Sequence, residues 1–329
     1  MRCTSHWLAA ALVALAALAS TAPAHAQADN YPSKPIKLIV PFPPGGGADL
    51  TARTLAQKMG ESMGQPIVVE NRPGANGSLG TDAVAKAAPD GYTILLTDRG
   101  ALGVNPALYT KLPYDPLKDF SYIGIANDGP YVLVVNPALN VKSLAELTAL
   151  AKAKPGALNY ASFGIGSMPQ LNIEAMNRKL GIDLVHVPYK GAGPAAQAVV
   201  ANEVGVTISS VPAVQGFIKD GRLKAIAVGS DKRFALLPDV PTMAEVGGGA
   251  DTLIPTFFAF AAPPGTPPAI VNKLNAELRK ALADPAVAER FIAAGLVPNG
   301  STPEQMTAIV KADVPHFAAL VKAIGIKPE

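Results

Sequence analysis

Five loops carry the chemistry this chain could do. They are Pro41-Phe42-Pro43-Pro44-Gly45-Gly46-Gly47, Thr97 to Gly103, Ser162-Phe163-Gly164-Ile165-Gly166-Ser167, Pro188-Tyr189-Lys190-Gly191-Ala192-Gly193 and Ser209-Ser210-Val211-Pro212. Each follows a strand-like run, and in a parallel sheet such loops share the carboxyl edge, where ligands bind. Glycine lets a ligand approach the backbone closely. Each following helix turns unpaired N–H groups and the positive end of its dipole to the same space. The acids in or beside these loops are Asp49 and Asp98, so the crevice is expected to attract anions. Any one loop alone is equally well a tight strand-to-helix turn; five together point to a ligand cleft.

Single residues in these loops have two readings each. Asp49 is placed to cap the first helix or to touch a ligand. Phe42 and Tyr189 are core aromatics or cleft wall, and their glycine-rich surroundings favour the wall. Arg99 follows the third strand at its carboxyl edge, from where a guanidinium can pair bidentately with a ligand carboxylate. The alternatives for Arg99 are solvent or a pair with Asp98 or Asp49.

Enzymatic devices fare poorly. Gly45-Gly46-Gly47 lacks the Gly-Lys-Ser/Thr ending of a P-loop, and Gly164-Ile165-Gly166 lacks the third glycine of a dinucleotide fingerprint. A Ser-His-Asp device would have to recruit His186, in an alternating strand, or His316, in the last helix, and each is expected to be structural. The single cysteine, Cys3, precedes the mature chain, which excludes disulfides and a cysteine nucleophile. Two histidines far apart give no metal-ligand spacing. No catalytic residue, metal or cofactor is expected.

The elements that must position these loops alternate. Ile36 to Val40, Ile67 to Glu70 and Thr93 to Thr97 read as strands. Asp49 to Met63 and Ser78 to Ala87 read as helices, the first with Ala52, Leu55, Ala56, Met59 and Met63 on one buried stripe. This is the pattern of a doubly wound parallel sheet. Two adjacent strand-like runs, Ser121 to Ala126 and Tyr131 to Val135, flank Asn127-Asp128-Gly129-Pro130, after which a second alternating series begins with a capping box at Ser143 and Glu146. Strands are expected near Leu158 to Ala161, Leu184 to Val187, Val204 to Ile208 and Leu223 to Val228. Thr256 to Ala262 reads as the return crossing. The remaining helices are announced by Thr266-Pro267, Asp284-Pro285 and Thr302-Pro303. The expected organisation is α/β in two doubly wound domains: 27–127 with 251–329, and 128–250, joined by a two-segment hinge.

The 329 residues suit two such domains. At the N-terminus, Arg2, an apolar run from Trp7 to Leu18 and Ala24-His25-Ala26 read as a secretory signal peptide cleaved after Ala26. Lys plus Arg number 28 and Asp plus Glu 25, with no basic run, so a nucleic-acid partner is not expected. A periplasmic protein is.

Within this frame the chain resembles the Bug-type periplasmic solute-binding receptors of tripartite tricarboxylate transporters. The matching segments are Pro35 to Phe42 with Gly45-Gly46-Gly47-Ala48-Asp49, Val68 to Ala75, Ala88-Pro89-Asp90-Gly91-Tyr92-Thr93, Asn105-Pro106-Ala107-Leu108-Tyr109, Leu112 to Pro116, Val185-His186-Val187-Pro188-Tyr189-Lys190-Gly191 and Leu237 to Thr242. The resemblance implies a two-lobed Venus-flytrap protein of type II, non-enzymatic and monomeric. It would deliver a small organic carboxylate to a membrane permease of two dissimilar subunits; a sensor subunit for a signalling kinase would share the same residues. It implies a carboxylate anchored by Phe42, Gly46, Gly47, Asp49, Ser162, Gly166 and Ser167, with Tyr189 nearby and Ser209 and Ser210 in a further loop. Departures from the family pattern are Gln170 where many members have His, Ser209 where many have Asp, Arg99 where a small hydroxyl residue is common, and Phe257 for a frequent Trp. Arg99 and Ser209 together are expected to favour a ligand with a second anionic or strongly polar group.

Overall fold

The computed structural model describes residues 30–249 and 252–328. The expected signal peptide 1–26, its cleavage site and the expected boundary at 250/251 lie outside the described residues.

Strand β1 (Ile36–Val40) turns Ile36, Leu38 and Val40 to one apolar layer and Ile39 to another. A strand buried on both faces belongs inside a parallel sheet, and β1 lies between β2 (Ile67–Asn71) and β3 (Thr93–Asp98), parallel to both. Helix α1 (Gly47–Met63) buries Ala52, Leu55, Ala56 and Met59, the stripe read from their spacing, and ends at Gly64 with φ 69°. Helix α2 (Ser78–Ala85) makes the second crossover. A wide helical turn over Gly100–Val104 leads from β3 into the short α3 (Asn105–Leu108). Strand β4 (Ser121–Gly129) continues through Asn127-Asp128-Gly129, which the sequence pattern placed between two strand-like runs, outside either of them.

The chain leaves the first sheet at Gly129 and enters the second at β5 (Tyr131–Val135), all five residues buried. The second series runs α4 (Leu144–Ala153), β6 (Asn159–Ser162), α5 (Met168–Leu180), β7 (Val185–Pro188), α6 (Ala192–Val200), β8 (Val206–Ser210), α7 (Val211–Lys219) and β9 (Lys224–Val228). The chain returns through Ile254 and Pro255 to β10 (Thr256–Ala262). There Asn172 of α5 both donates to the Ile254 carbonyl and accepts its N–H, each at 3.1 Å. The strand orders are β11-β4-β10-β3-β1-β2 and β7-β6-β8-β5-β9, where β11 is Val297–Pro298. In each sheet an antiparallel strand, β10 or β5, is inserted beside the third parallel strand, and in the first sheet the short β11 also runs antiparallel to β4. Two doubly wound lobes joined by two crossings result.

The last helices are α8 (Pro268–Leu282), α9 (Pro285–Ala293) and α10 (Pro303–Ala323). Asp284 and Thr302 cap α9 and α10, the latter with a full capping box through Gln305. Thr266 does not cap α8: its N-cap is Pro267, and the Thr266 hydroxyl instead donates to the Pro263 carbonyl at 2.8 Å. Helix α10 serves both lobes. Before Pro315, Met306 and Val310 join Ile39, Leu95 and Phe257 of the first lobe. Beyond it, Phe317 and Val321 pack with Met168, Leu171 and Met176 of α5, and Arg178 donates to the Ala323 carbonyl at 2.6 Å.

Candidate functional site

Helices α1, α2, α5, α6 and α7 follow β1, β2, β6, β7 and β8, so their N-termini gather at the carboxyl edges of the two sheets. None of the five has a side-chain cap. Helices α4, α9 and α10, away from those edges, are capped by Ser143, Asp284 and Thr302; α8 is uncapped. A helix N-terminus left without its own acceptor presents free N–H groups and partial positive charge.

In the first lobe, Gly46 is the N-cap of α1, at φ −88° and ψ −179°, and Gly45, Gly46 and Gly47 are exposed. A Cβ at Gly47 would lie 3.1 Å from the Phe258 ring, so the loop rests on that aromatic. The N-cap reading of Asp49 is corrected: it stands inside the first turn, and its carboxylate reaches back to the Gly45 N–H at 3.0 Å. Arg53 donates to both of its oxygens at 3.0 Å, and Asn71 donates to Oδ1 at 3.1 Å. Four donors fill the acceptor capacity of a carboxylate. Burial would raise Asp49, but the bonds from Arg53, Gly45 and Asn71 hold it below the usual range. Asp49 therefore braces the loop. Phe42 is half-buried against the first-lobe core, and its carbonyl accepts from Asn71 at 3.1 Å.

In the second lobe, the loop after β6 is organised around the Gly164 carbonyl, which accepts the hydroxyls of Ser162 at 3.0 Å and Ser167 at 2.7 Å. Gly166 has φ +75° and donates its N–H to Gln170 Oε1 at 2.7 Å. Gln170 Nε2 lies 3.2 Å from His186 Nδ1, and His186 Nε2 lies 2.6 Å from Ser162 Oγ. Ser162 and His186 have the contact of a nucleophile and base, but not its polarity. The Gly166 N–H fixes the Gln170 amide with its NH₂ toward His186, so Nδ1 accepts and the imidazole proton sits on Nε2, pointing at Ser162. Ser162 is also fully buried. It braces the loop, whereas Ser167 is half-buried at the N-cap of α5.

Tyr189 is half-buried at the edge of a second-lobe core cluster, its hydroxyl 3.4 Å from Glu203. Ser209 does not line the crevice as expected: strand alternation turns it inward, fully buried, with no partner for its hydroxyl. Ser210, one residue on, is half-buried at the N-cap of α7.

The expectation that Arg99 pairs with a ligand is corrected as well. Its Nε donates to Asp313 of α10 at 2.8 Å and its Nη1 to the Pro255 carbonyl at 2.6 Å, while the guanidinium lies 4.9 Å from the centre of the Phe257 ring. Burial pushes the Asp313 carboxyl up, and Arg99 pulls it only part of the way back. The partner was invisible because 214 positions separate the two residues. Phe257 is core; its neighbour Phe258 meets the glycine loop. Sequence reasoning also missed the Gln170–His186 relay and Leu108, whose Cδ1 lies 2.3 Å from where a Cβ at Gly166 would stand. The signal for Phe258 was available in the strand alternation of β10; none existed for Leu108.

The signature of the tripartite tricarboxylate transporter family receptor matches residues 51–326. Protein BugT of Bordetella pertussis is 42% identical over 301 residues, covering 91% of this chain and 92% of that protein. The structure of periplasmic binding protein BugD aligns with TM-score 0.76 and 36% identity over 91% of this chain and 100% of its own. That of R. palustris Rpa4515 with adipate aligns with TM-score 0.80 and 32% identity over 91% and 100%.

Proposed function

The chain belongs to the tripartite tricarboxylate transporter receptor family, and from that premise we propose that it captures a small organic carboxylate between its lobes and delivers it to a two-subunit membrane permease without chemical change. The observation that carries this reading is the row of five helix N-termini left without side-chain caps at the carboxyl edges of both sheets. A carboxylate is the acceptor those N–H groups lack. Gly46, Gly47, Ser167 and Ser210 contact it; Phe42 and Tyr189 wall the crevice; Asp49, Ser162 and Gly166 shape the loops. R. palustris Rpa4515, whose solved structure is with adipate, a dicarboxylate, supports the ligand class.

The lobes comprise 27–127 with 251–329, and 128–250. The signal peptide is removed after Ala26, and the mature chain works in the periplasm as a monomer. Mass spectrometry of small molecules released by denaturing the purified protein tests the reading. A carboxylate is the expected passenger; a neutral or cationic one at one equivalent would contradict it.

A further inference from the structure

The Gln170–His186–Ser162 relay ties a titratable ring to the anion loop with a single allowed polarity. We propose that His186 is a positioning residue for carboxylate binding, holding the 162–167 loop only as the neutral Nε2–H tautomer, so that protonation of this one ring releases the ligand. The proposal rests on the carboxylate reading above.

Every link has a direction. The Gly166 N–H donates to Gln170 Oε1 at 2.7 Å, which sends the Gln170 NH₂ toward His186 Nδ1 at 3.2 Å. The imidazole then donates from Nε2 to Ser162 Oγ at 2.6 Å, and the Ser162 proton goes to the Gly164 carbonyl at 3.0 Å. An imidazolium carries a second proton on Nδ1, facing the NH₂ of Gln170. Two donors then oppose each other. Turning the amide over only moves the conflict, because its NH₂ would meet the Gly166 N–H. Left as it is, the amide loses its contact with His186; turned over, it regains that contact but loses the bond that closes the loop at Gly166, where the loop meets Leu108 of the first lobe.

The surroundings favour the neutral ring. His186 stacks on Tyr160 of β6, ring centres 5.1 Å apart, and burial holds its pKa below the ordinary histidine value. The Tyr160 hydroxyl donates to Glu174 Oε1 of α5 at 2.6 Å, so the carboxylate next to the stacked phenol is already engaged. The Gln170 amide enforces the polarity.

Two effects of acid oppose each other. A simple charge effect would strengthen anion binding when His186 becomes positive; loss of the loop weakens it. The test uses the mature chain, in which His186 and His316 are the histidines. Long-range ¹H–¹⁵N spectra, assigned with His316→Gln, should show the Nε2–H tautomer of His186 at pH 7.5, and the Gly164 and Gly166 amides should titrate with its midpoint. Gln170→Glu should move both midpoints upward together, since a carboxylate accepts from Nδ1–H. Adipate affinity, used as the probe, should fall with acid by up to about tenfold per pH unit below that midpoint, the slope of one linked proton. His186→Gln, which keeps a donor toward Ser162, should bind adipate at pH 7.5 with a flattened pH profile. An Nδ1–H tautomer, loop amides that ignore the imidazole midpoint, or affinity that rises with acid would overturn the proposal. Absence of adipate binding by the wild type at every pH would count against the carboxylate reading, while the tautomer and the amide midpoints decide the relay in either case.

Discussion

Leu108 of the first lobe occupies the place where any side chain at Gly166 of the second would go, 2.3 Å from the position of the missing Cβ. Gly166 also has φ +75°, so the site excludes other residues twice, by backbone conformation and by the approach of the lobes. Gly166→Ala is expected to destabilise the protein by about 1–3 kcal/mol in urea denaturation. Because Leu108 is itself core, the comparison is made in a Leu108→Ala background, where Gly166→Ala should cost only the backbone part of about 1 kcal/mol. A Gly166→Ala cost that is the same in the wild-type and Leu108→Ala backgrounds would mean that the lobes do not meet there.

The bare N-terminus of α1 predicts a conflict between stability and binding. Gly46 has extended backbone angles, and a Cβ there meets nothing within 4 Å. Gly46→Ser can therefore supply the missing cap and should stabilise the protein by up to about 1 kcal/mol. The same hydroxyl takes the N–H group offered to a carboxylate, so affinity should fall roughly tenfold or more. Thermal melts and calorimetry on one preparation check both; a Gly46→Ser variant that binds as well as the wild type would remove α1 from the site.

Arg99 now predicts a structural effect. Breaking its partly buried pair with Asp313 should cost on the order of 3 kcal/mol, seen as a lower Tm for Arg99→Met, with carboxylate affinity nearly unchanged. Arg99→Met with Asp313→Leu should be less destabilised than Arg99→Met alone, because no charge is left unpaired. A variant with unaltered Tm and lost binding would return Arg99 to the crevice.

Asp98 supplies a pH dependence. Burial pushes its carboxyl from 3.8 up to about 6, although it accepts the Ala101 N–H at 2.8 Å. Between those values the native protein holds a proton that the unfolded chain has released, so this site's contribution to stability falls as pH rises through the window. Asp98→Asn keeps the acceptor for Ala101 and should raise Tm at pH 7.5, with the gain vanishing by pH 4. A variant less stable at pH 7.5 would show that the charged carboxylate is tolerated.

Local signals carried much of the fold. Short alternating runs placed β1, β2 and β3, the spacing of Ala52, Leu55, Ala56 and Met59 gave the buried face of α1, and a capping residue before proline marked α9 and α10. Such signals fail where the partner is distant or the geometry irregular. Asn127-Asp128-Gly129 has turn composition yet is held as strand by β10 on one side and by β11 on the other. In the site, the glycine loops were legible because glycine and a following helix leave a mark in the sequence. The fates of Arg99, Asp49 and Ser209 were not, since each depends on which groups the folded chain brings to it.

The central claim, that the crevice takes a carboxylate, is tested most directly by calorimetry and thermal shift on the mature protein freed of any passenger. The panel should hold mono-, di- and tricarboxylates together with neutral sugars and amines. At least one carboxylate should bind with one-to-one stoichiometry and, at about 100 times its Kd, add roughly 2.7 kcal/mol of stability, while sugars and amines leave the melt unmoved. A panel in which neutral or cationic solutes shift the melt and every carboxylate is silent would contradict the account.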